Sequence, residues 1–185
     1  IAELDRIIRS TPGVAVKTTF MRMAKYNELH SRFGKNLNRL LGWMHATSCE
    51  EALKNYEEMN GRRPAWGLLD QFSEEPIVQK ELARKNIAFD LRMRTKAESD
   101  PVVAAASIVA RAAFVRELDR LSADGGVPLP KGSGAEAKRA AVELIERLGP
   151  AILINFAKMH FKTAYEARGL EPPEPKPFFR RKKAE

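Results

Sequence analysis

The sequence holds a single cysteine, Cys49, among 185 residues. One thiol excludes an intrachain disulfide framework and fits a reducing compartment. No apolar run approaches the roughly 18 residues that a membrane span requires, and no charged-then-apolar leader opens the chain. Histidine is scarce: His30, His45 and His160 fall on separate predicted helices, without zinc-type spacing. A phosphate-cradling glycine loop is missing too. Lys131-Gly132-Ser133-Gly134 lacks the strand–loop–helix setting of such a motif and reads as a flexible connection. The first residue is Ile1 and not Met, so the expectation is a piece of a longer product.

What remains is an ordinary globular composition, 44% hydrophobic and 30% charged, long enough for one domain with a real core. The formal charge of +8 is unevenly spread. Residues 1–40 carry eight Lys/Arg against three acids, and residues 79–96 carry six against two. Residues 46–78 reverse the balance, with seven acids and three bases. Basic walls flanking an acidic stretch suit a bound polyanion with cations gathered at one spot. A solvated basic surface without a partner would give the same counts.

Hydrophobic periodicity orders the chain. Residues 3–10 read as the end of an amphipathic helix with Leu4, Ile7 and Ile8 on one face, broken by Thr11-Pro12-Gly13. Val14, Val16, Thr18 and Phe20 alternate like a strand, and a short helix follows Ala24–Asn27 up to Gly34. Asn36–Met59 carries helical spacing and stops at Asn60-Gly61. Pro64–Asp70 reads as a buried strand, Glu74–Lys85 as a helix with Pro76 in its first turn, and Ile87–Met93 as a second clear strand. Helices are predicted from Pro101 to about Ser122, over 135–148 and over 150–166. Beyond Gly169 the proline-rich segment 171–177 and the basic run 180–183 read as a disordered tail. The alternation of strands and helices predicts an α/β fold with at least part of the sheet parallel.

The most informative stretch runs from Arg94 to Arg111. It places Glu98 just ahead of a helix opened by Pro101 and built from alanines, which allow close backbone approach. In α/β sheets functional side chains collect where strands end and helices begin. Asp70 ends one predicted strand, and Glu98 lies between the next strand and its helix. Two such carboxylates can act as acid and base, hold a divalent cation, or be surface charges. Two alone are too few to hold a pair of ions well. Lys96 and Arg94 are placed to neutralise a nearby phosphate. Ser107 and Arg111 share a helix face four residues apart and are candidate phosphate contacts. Alternatively, Ser107 bonds back into its own helix and Arg111 pairs with a surface acid. Asp100, directly before Pro101, fits a helix N-cap better than a third ligand.

Several segments, taken in order, resemble ribonuclease HIII, the bacterial branch of the type 2 ribonucleases H. They are Lys25-Tyr26-Asn27-Glu28-Leu29, Asn36-Leu37-Asn38-Arg39-Leu40-Leu41, Leu69-Asp70-Gln71-Phe72, Thr95-Lys96-Ala97-Glu98-Ser99, Val103–Arg111, Leu129-Pro130-Lys131-Gly132 and Ala157–Thr163. The resemblance implies a ribonuclease H-like α/β fold, a mixed sheet flanked by helices and lacking its first strands. It also implies Mg2+- or Mn2+-dependent endonucleolytic cleavage of RNA paired with DNA. The family's metal site uses four acids, of which the third falls on Asp70 and the fourth on Glu98. Ser107 and Arg111 fall in the helix motif that the family sets beside the substrate backbone. The first Asp-Glu pair, in a glycine-rich strand, has no counterpart here, nor does the N-terminal substrate-binding domain.

Residues 1–167 are therefore expected to form part of a catalytic domain, with 168–185 as a Pro-rich basic tail. The expected partner is an RNA–DNA hybrid, bound by a cytoplasmic monomer with no membrane association. A non-catalytic nucleic-acid-binding module with a decayed metal site is the alternative.

Overall fold

The computed structural model describes residues 1–174. In chain order these form α1 (Ala2–Ser10), α2 (Met23–Arg32), α3 (Leu37–Asn60), β1 (Gly67–Asp70), α4 (Ile77–Arg84) and β2 (Leu91–Arg94). A 3-10 turn (Ala97–Ser99), α5 (Pro101–Gly125), α6 (Ala135–Leu148), a 3-10 segment (Pro150–Asn155) and α7 (Lys162–Ala167) complete them. None of these helices is long and apolar enough to cross a membrane. Of the expected tail, residues 175–185 lie outside the described residues.

Local chemistry sets the long helices. The Asn36 side chain accepts the Arg39 amide at 3.1 Å and opens α3. Gly61, left-handed at φ 65°, closes it by donating to the Glu57 carbonyl. Asp100 accepts the Val102 amide at 2.9 Å, and Pro101 occupies the first position of α5, as its sequence predicts.

β1 and β2 form a parallel pair, with Gly67 opposite Leu91 and Asp70 opposite Arg94. Because they run parallel, connected through α4, both strands finish on the same rim. A core of Ala46, Val78 and Leu82, with Leu69, Phe72, Ile87 and Leu91 against it, glues α3 and α4 to this sheet. A second core joins Val127 to Ala140 and Leu144 of α6, and a third joins α6 to Leu153 and Ala164.

Several sequence expectations change. Val14–Phe20 is not a strand. Among the described residues it has no neighbouring strand to complete a ladder, and Val14 and Phe20 are exposed. The segment is instead tied to α3, where the Thr19 amide donates to Ser48 Oγ at 3.2 Å. The second strand begins at Leu91, because the Leu91 amide is already taken by the Phe89 carbonyl in a tight local turn.

The predicted helix over 150–166 breaks in two. Asn27 of α2 bonds the carbonyls of Ile154 and Ala157 and accepts the Met159 amide, all at 2.9 Å, diverting backbone groups a helix would use. Finally, α1 does not bury the face of Leu4 and Ile7, which stay about half exposed. It docks on α5 through Asp5, which accepts Arg9 Nε at 2.8 Å and Arg116 Nη1 at 2.7 Å. The Arg116 bond, followed by Arg9, holds the Asp5 carboxyl below its ordinary range.

The histidines are not as separate as the sequence suggests. His30 on α2 and His160, in the turn before α7, stack with ring centroids 4.1 Å apart, and Tyr26 lies against both. Lys158 Nζ sits 4.9 Å from the Tyr26 ring centre. Both His160 ring nitrogens are buried without a hydrogen-bond partner among the described residues. Burial pushes the His160 pKa down, with His30 and Lys158 adding to the effect. His30 is likewise lowered by burial and then by Lys35.

Two measurements check this packing. Gly42 of α3 faces Ile77 so closely that an added Cβ would overlap Ile77 Cγ2. Gly42→Ala should therefore destabilise by about 1–2 kcal/mol, overpacking outweighing the gain in helix propensity. A denaturation cycle with Ile77→Ala should recover part of that loss in the double variant. The histidine pair makes stability depend on pH. Lowered folded pKa values mean that the unfolded chain takes up protons first as pH falls through its own value near 6.5. Stability should be full above that point and decline between about pH 6.5 and 5, before the carboxylates titrate. Burial lowers the His45 pKa as well, so melting curves over this range should flatten in part when His30 and His160 are replaced by phenylalanine.

Candidate metal and substrate site at the carboxyl rim

The site begins with the register. Asp70 is the last residue of β1 and faces Arg94, the last of β2, so the two chains leave the sheet side by side. After β2 the backbone turns sharply. Lys96 is left-handed, at φ 55° and ψ 39°, and the 3-10 turn starts at Ala97. Ala97 is fully buried, and its amide donates to Asp70 Oδ1 at 3.0 Å. Glu98 is the next residue. One backbone hydrogen bond thus ties the first acid to the residue preceding the second.

The turn is braced from the other side. The Lys96 carbonyl accepts the Ser99 hydroxyl at 3.0 Å and the Ser99 amide at 3.3 Å. Arg94 Nη2 in turn donates to Ser99 Oγ at 3.3 Å. The Asp100 amide reaches the Ala97 carbonyl at 2.9 Å, and Asp100 then caps α5. Asp70, Lys96 and Glu98 are all exposed at this rim.

The structure joins Asp70 directly to the Lys96–Ala97 peptide, one residue before Glu98, and leaves Ser107 and Arg111 on α5. Ser107 is exposed and donates to the Val103 carbonyl at 3.1 Å, the back-bonded arrangement weighed from the sequence. The Arg111 guanidinium lies 5.0 Å from the Phe114 ring centre, against an aromatic face and not the surface acid considered for it. Asp5 offers no replacement ligand, because both of its oxygens are engaged by arginines. His45 stacks on Phe72, two residues past Asp70, at 5.1 Å.

Two contributions escaped the sequence reading. Ser99 links Arg94 to the Lys96 carbonyl through its hydroxyl, and Arg94 braces the turn as well as facing solvent. The small polar residue directly after the acid was the available signal.

The donor chemistry fits a hard divalent cation. Carboxylate oxygens suit magnesium or manganese, which are held by one or two carboxylates together with water and substrate phosphate. No group of three or more His, Cys, Asp or Glu able to hold a metal occurs among the described residues. Asp70 and Glu98 are two carboxylates at this rim, fewer than a two-ion site requires.

The layout is that of an α/β domain whose acids gather where parallel strands end. A sequence profile described as Ribonuclease HII matches residues 1–164, and the chain belongs to that family. Ribonuclease HIII of Protochlamydia amoebophila (strain UWE25) is 42% identical over 140 residues, 76% of this chain and 44% of that protein. Its counterpart from Chlamydia pneumoniae is 40% identical over 167 residues, 88% of this chain and 52% of that protein. The crystal structure of Bst-RNase HIII in complex with Mn2+ matches at a TM-score of 0.77 and 27% identity, covering 90% of this chain and 54% of that one. The crystal structure of a mutant form of the same protein gives 0.72 at 29% identity, covering 82% and 49%. The fold is thus the α/β ribonuclease H-like fold. The chain spans about half the length of the curated relatives it matches.

Proposed function

We propose that this chain supplies one part of a metal-dependent endoribonuclease that cleaves the RNA strand of RNA–DNA hybrids. The observation that carries the reading is the Ala97 amide bonded to Asp70, which sets Glu98 one residue away on the same rim. Asp70 and Glu98 are assigned as ligands for Mg2+ or Mn2+. Asp70 and Glu98 would hold such an ion, which would supply Lewis-acid stabilisation of the phosphate and an activated water. The chain's own groups do the rest. Asp70 keeps one oxygen in its bond to Ala97 and has the other free for an ion. Lys96, Ser107 and Arg111 present a cation, a hydroxyl and a guanidinium to the phosphate backbone, contacts that position a duplex without reading its sequence.

The two further acids of the family pattern have no counterpart in this sequence, and in this reading they come from another part of the enzyme. In this reading residues 1–167 act as one unit; of the expected tail, residues 175–185 lie outside the described residues. The reading includes a cytoplasmic monomer, consistent with Cys49 being a free thiol.

The absence of a third ligand-type side chain beside the two acids, among the described residues, favours one alternative, a nucleic-acid-binding module without catalysis. Supplying the N-terminal half of a ribonuclease HIII in trans separates the two. Cleavage of a labelled hybrid in Mn2+ supports the nuclease, and binding without cleavage supports the module. In the complemented enzyme Asp70→Asn should lower cleavage by on the order of 10²-fold or more, the scale of removing one group that stabilises transition-state charge. Hybrid affinity should stay within about twofold, because a metal ligand and not a phosphate contact is lost. Normal cleavage by this variant would remove Asp70 from the site.

A further inference from the structure

Three non-glycine residues among those described have left-handed backbone: Lys35, Asn86 and Lys96. Lys35 and Asn86 lie just past the ends of α2 and α4, where a left-handed residue commonly terminates a helix. Lys96 follows a strand instead, and nothing about lysine favours this conformation, which crowds Cβ against the following carbonyl. Its surroundings hold it there. Ala97 has no exposed surface, so the chain is pinned on one side. On the other, the Lys96 carbonyl is held by the Ser99 hydroxyl and amide, and Arg94 holds that hydroxyl. These restraints have a common result: the Ala97 N–H is aimed at Asp70 Oδ1. An extended residue at position 96 would swing that N–H away.

We infer that Lys96 is a positioning residue that acts through its backbone. Its left-handed turn presents the Ala97 amide to Asp70, fixes the carboxylate's orientation and reserves the second oxygen for an ion. The inference rests on the assignment of Asp70 as a metal ligand. It separates two properties of one residue, since the ammonium serves phosphate binding and the peptide serves the geometry of the acid.

Substitutions pull these apart. Lys96→Ala and Lys96→Gly remove the ammonium and keep the turn, glycine freely and alanine at about the cost lysine already bears. Lys96→Val removes both, because a β-branched side chain is all but excluded from the left-handed region. Amide hydrogen exchange at Ala97, followed by NMR in this chain, reads the turn without any need for activity. It should change by no more than a few-fold in the alanine and glycine variants and accelerate by about tenfold or more in the valine variant. In the complemented enzyme, alanine and glycine should raise KM and keep kcat, whereas valine should also lower kcat by about 10- to 100-fold, as loss of a supporting contact to a metal ligand does. Ser99→Ala keeps the ammonium and loosens the turn, so it should lower kcat at unchanged KM. That variant decides the question if the valine variant fails to fold.

An unchanged Ala97 amide and kcat in the valine variant would overturn the inference. So would a glycine variant that loses as much kcat as valine, which would move the role to the side chain. If the complemented wild type cuts no hybrid, the nuclease reading fails on its own. The exchange data then still decide whether residue 96 holds Asp70.

Discussion

The bond between the Ala97 amide and the Asp70 carboxylate is the contact on which the rest of the rim depends. It is the direct link between the end of the first strand and the turn that leaves the second. Without it, Asp70 would be an exposed side chain at a strand end, free to sample several rotamers. With it, one carboxylate oxygen is satisfied by a backbone donor of fixed direction. At 3.0 Å the bond has the length of an ordinary N–H···O bond, and its role is to orient the carboxylate. It also joins the two acids through one residue, Ala97, so a shift in the turn moves both together.

Larger elements keep that bond in place. The parallel register sets Asp70 beside Arg94, and the core of Ala46, Val78 and Leu82 clamps α3 and α4 to the same sheet. Asp100 and Pro101 start α5 immediately after the turn, so a 25-residue helix anchors its exit. The acids are exposed, yet the residue between them, Ala97, is fully buried. The rim therefore combines a buried backbone anchor with side chains open to solvent, as the proposed binding of a polyanion needs. The His30–His160 pair lies elsewhere, packing α2 against the segment before α7. Its effect is on stability.

Those parts of the fold governed by local chemistry were legible in the sequence. Asn36 and Gly61 bracket α3, and Asp100 with Pro101 starts α5, each by a side-chain or backbone property that needs no distant partner. The place of Asp70 at a strand end and of Glu98 ahead of a helix followed from the same signals. What was hidden depends on residues far apart in the chain. Asn27 breaks the predicted helix over 150–166 from a distance of 132 residues. Asp5 turns the expected apolar docking of α1 into an ionic one through Arg116, 111 residues away. Val14–Phe20 has the rhythm of a strand and, among the described residues, no neighbouring strand to pair with. The turn at Lys96 was invisible for a different reason, since lysine carries no preference for left-handed backbone and tertiary contacts impose it.

The central claim is that an ion binds where Asp70 and Glu98 leave the sheet, and paramagnetic relaxation by Mn2+ measures this most directly. Titrating Mn2+ into the enzyme bound to a non-cleavable hybrid should broaden the amide signals of Gln71, Ala97 and Glu98 first, and Asp70→Asn should weaken the effect. Broadening centred on another part of the molecule, with the 70–98 rim untouched, would contradict it.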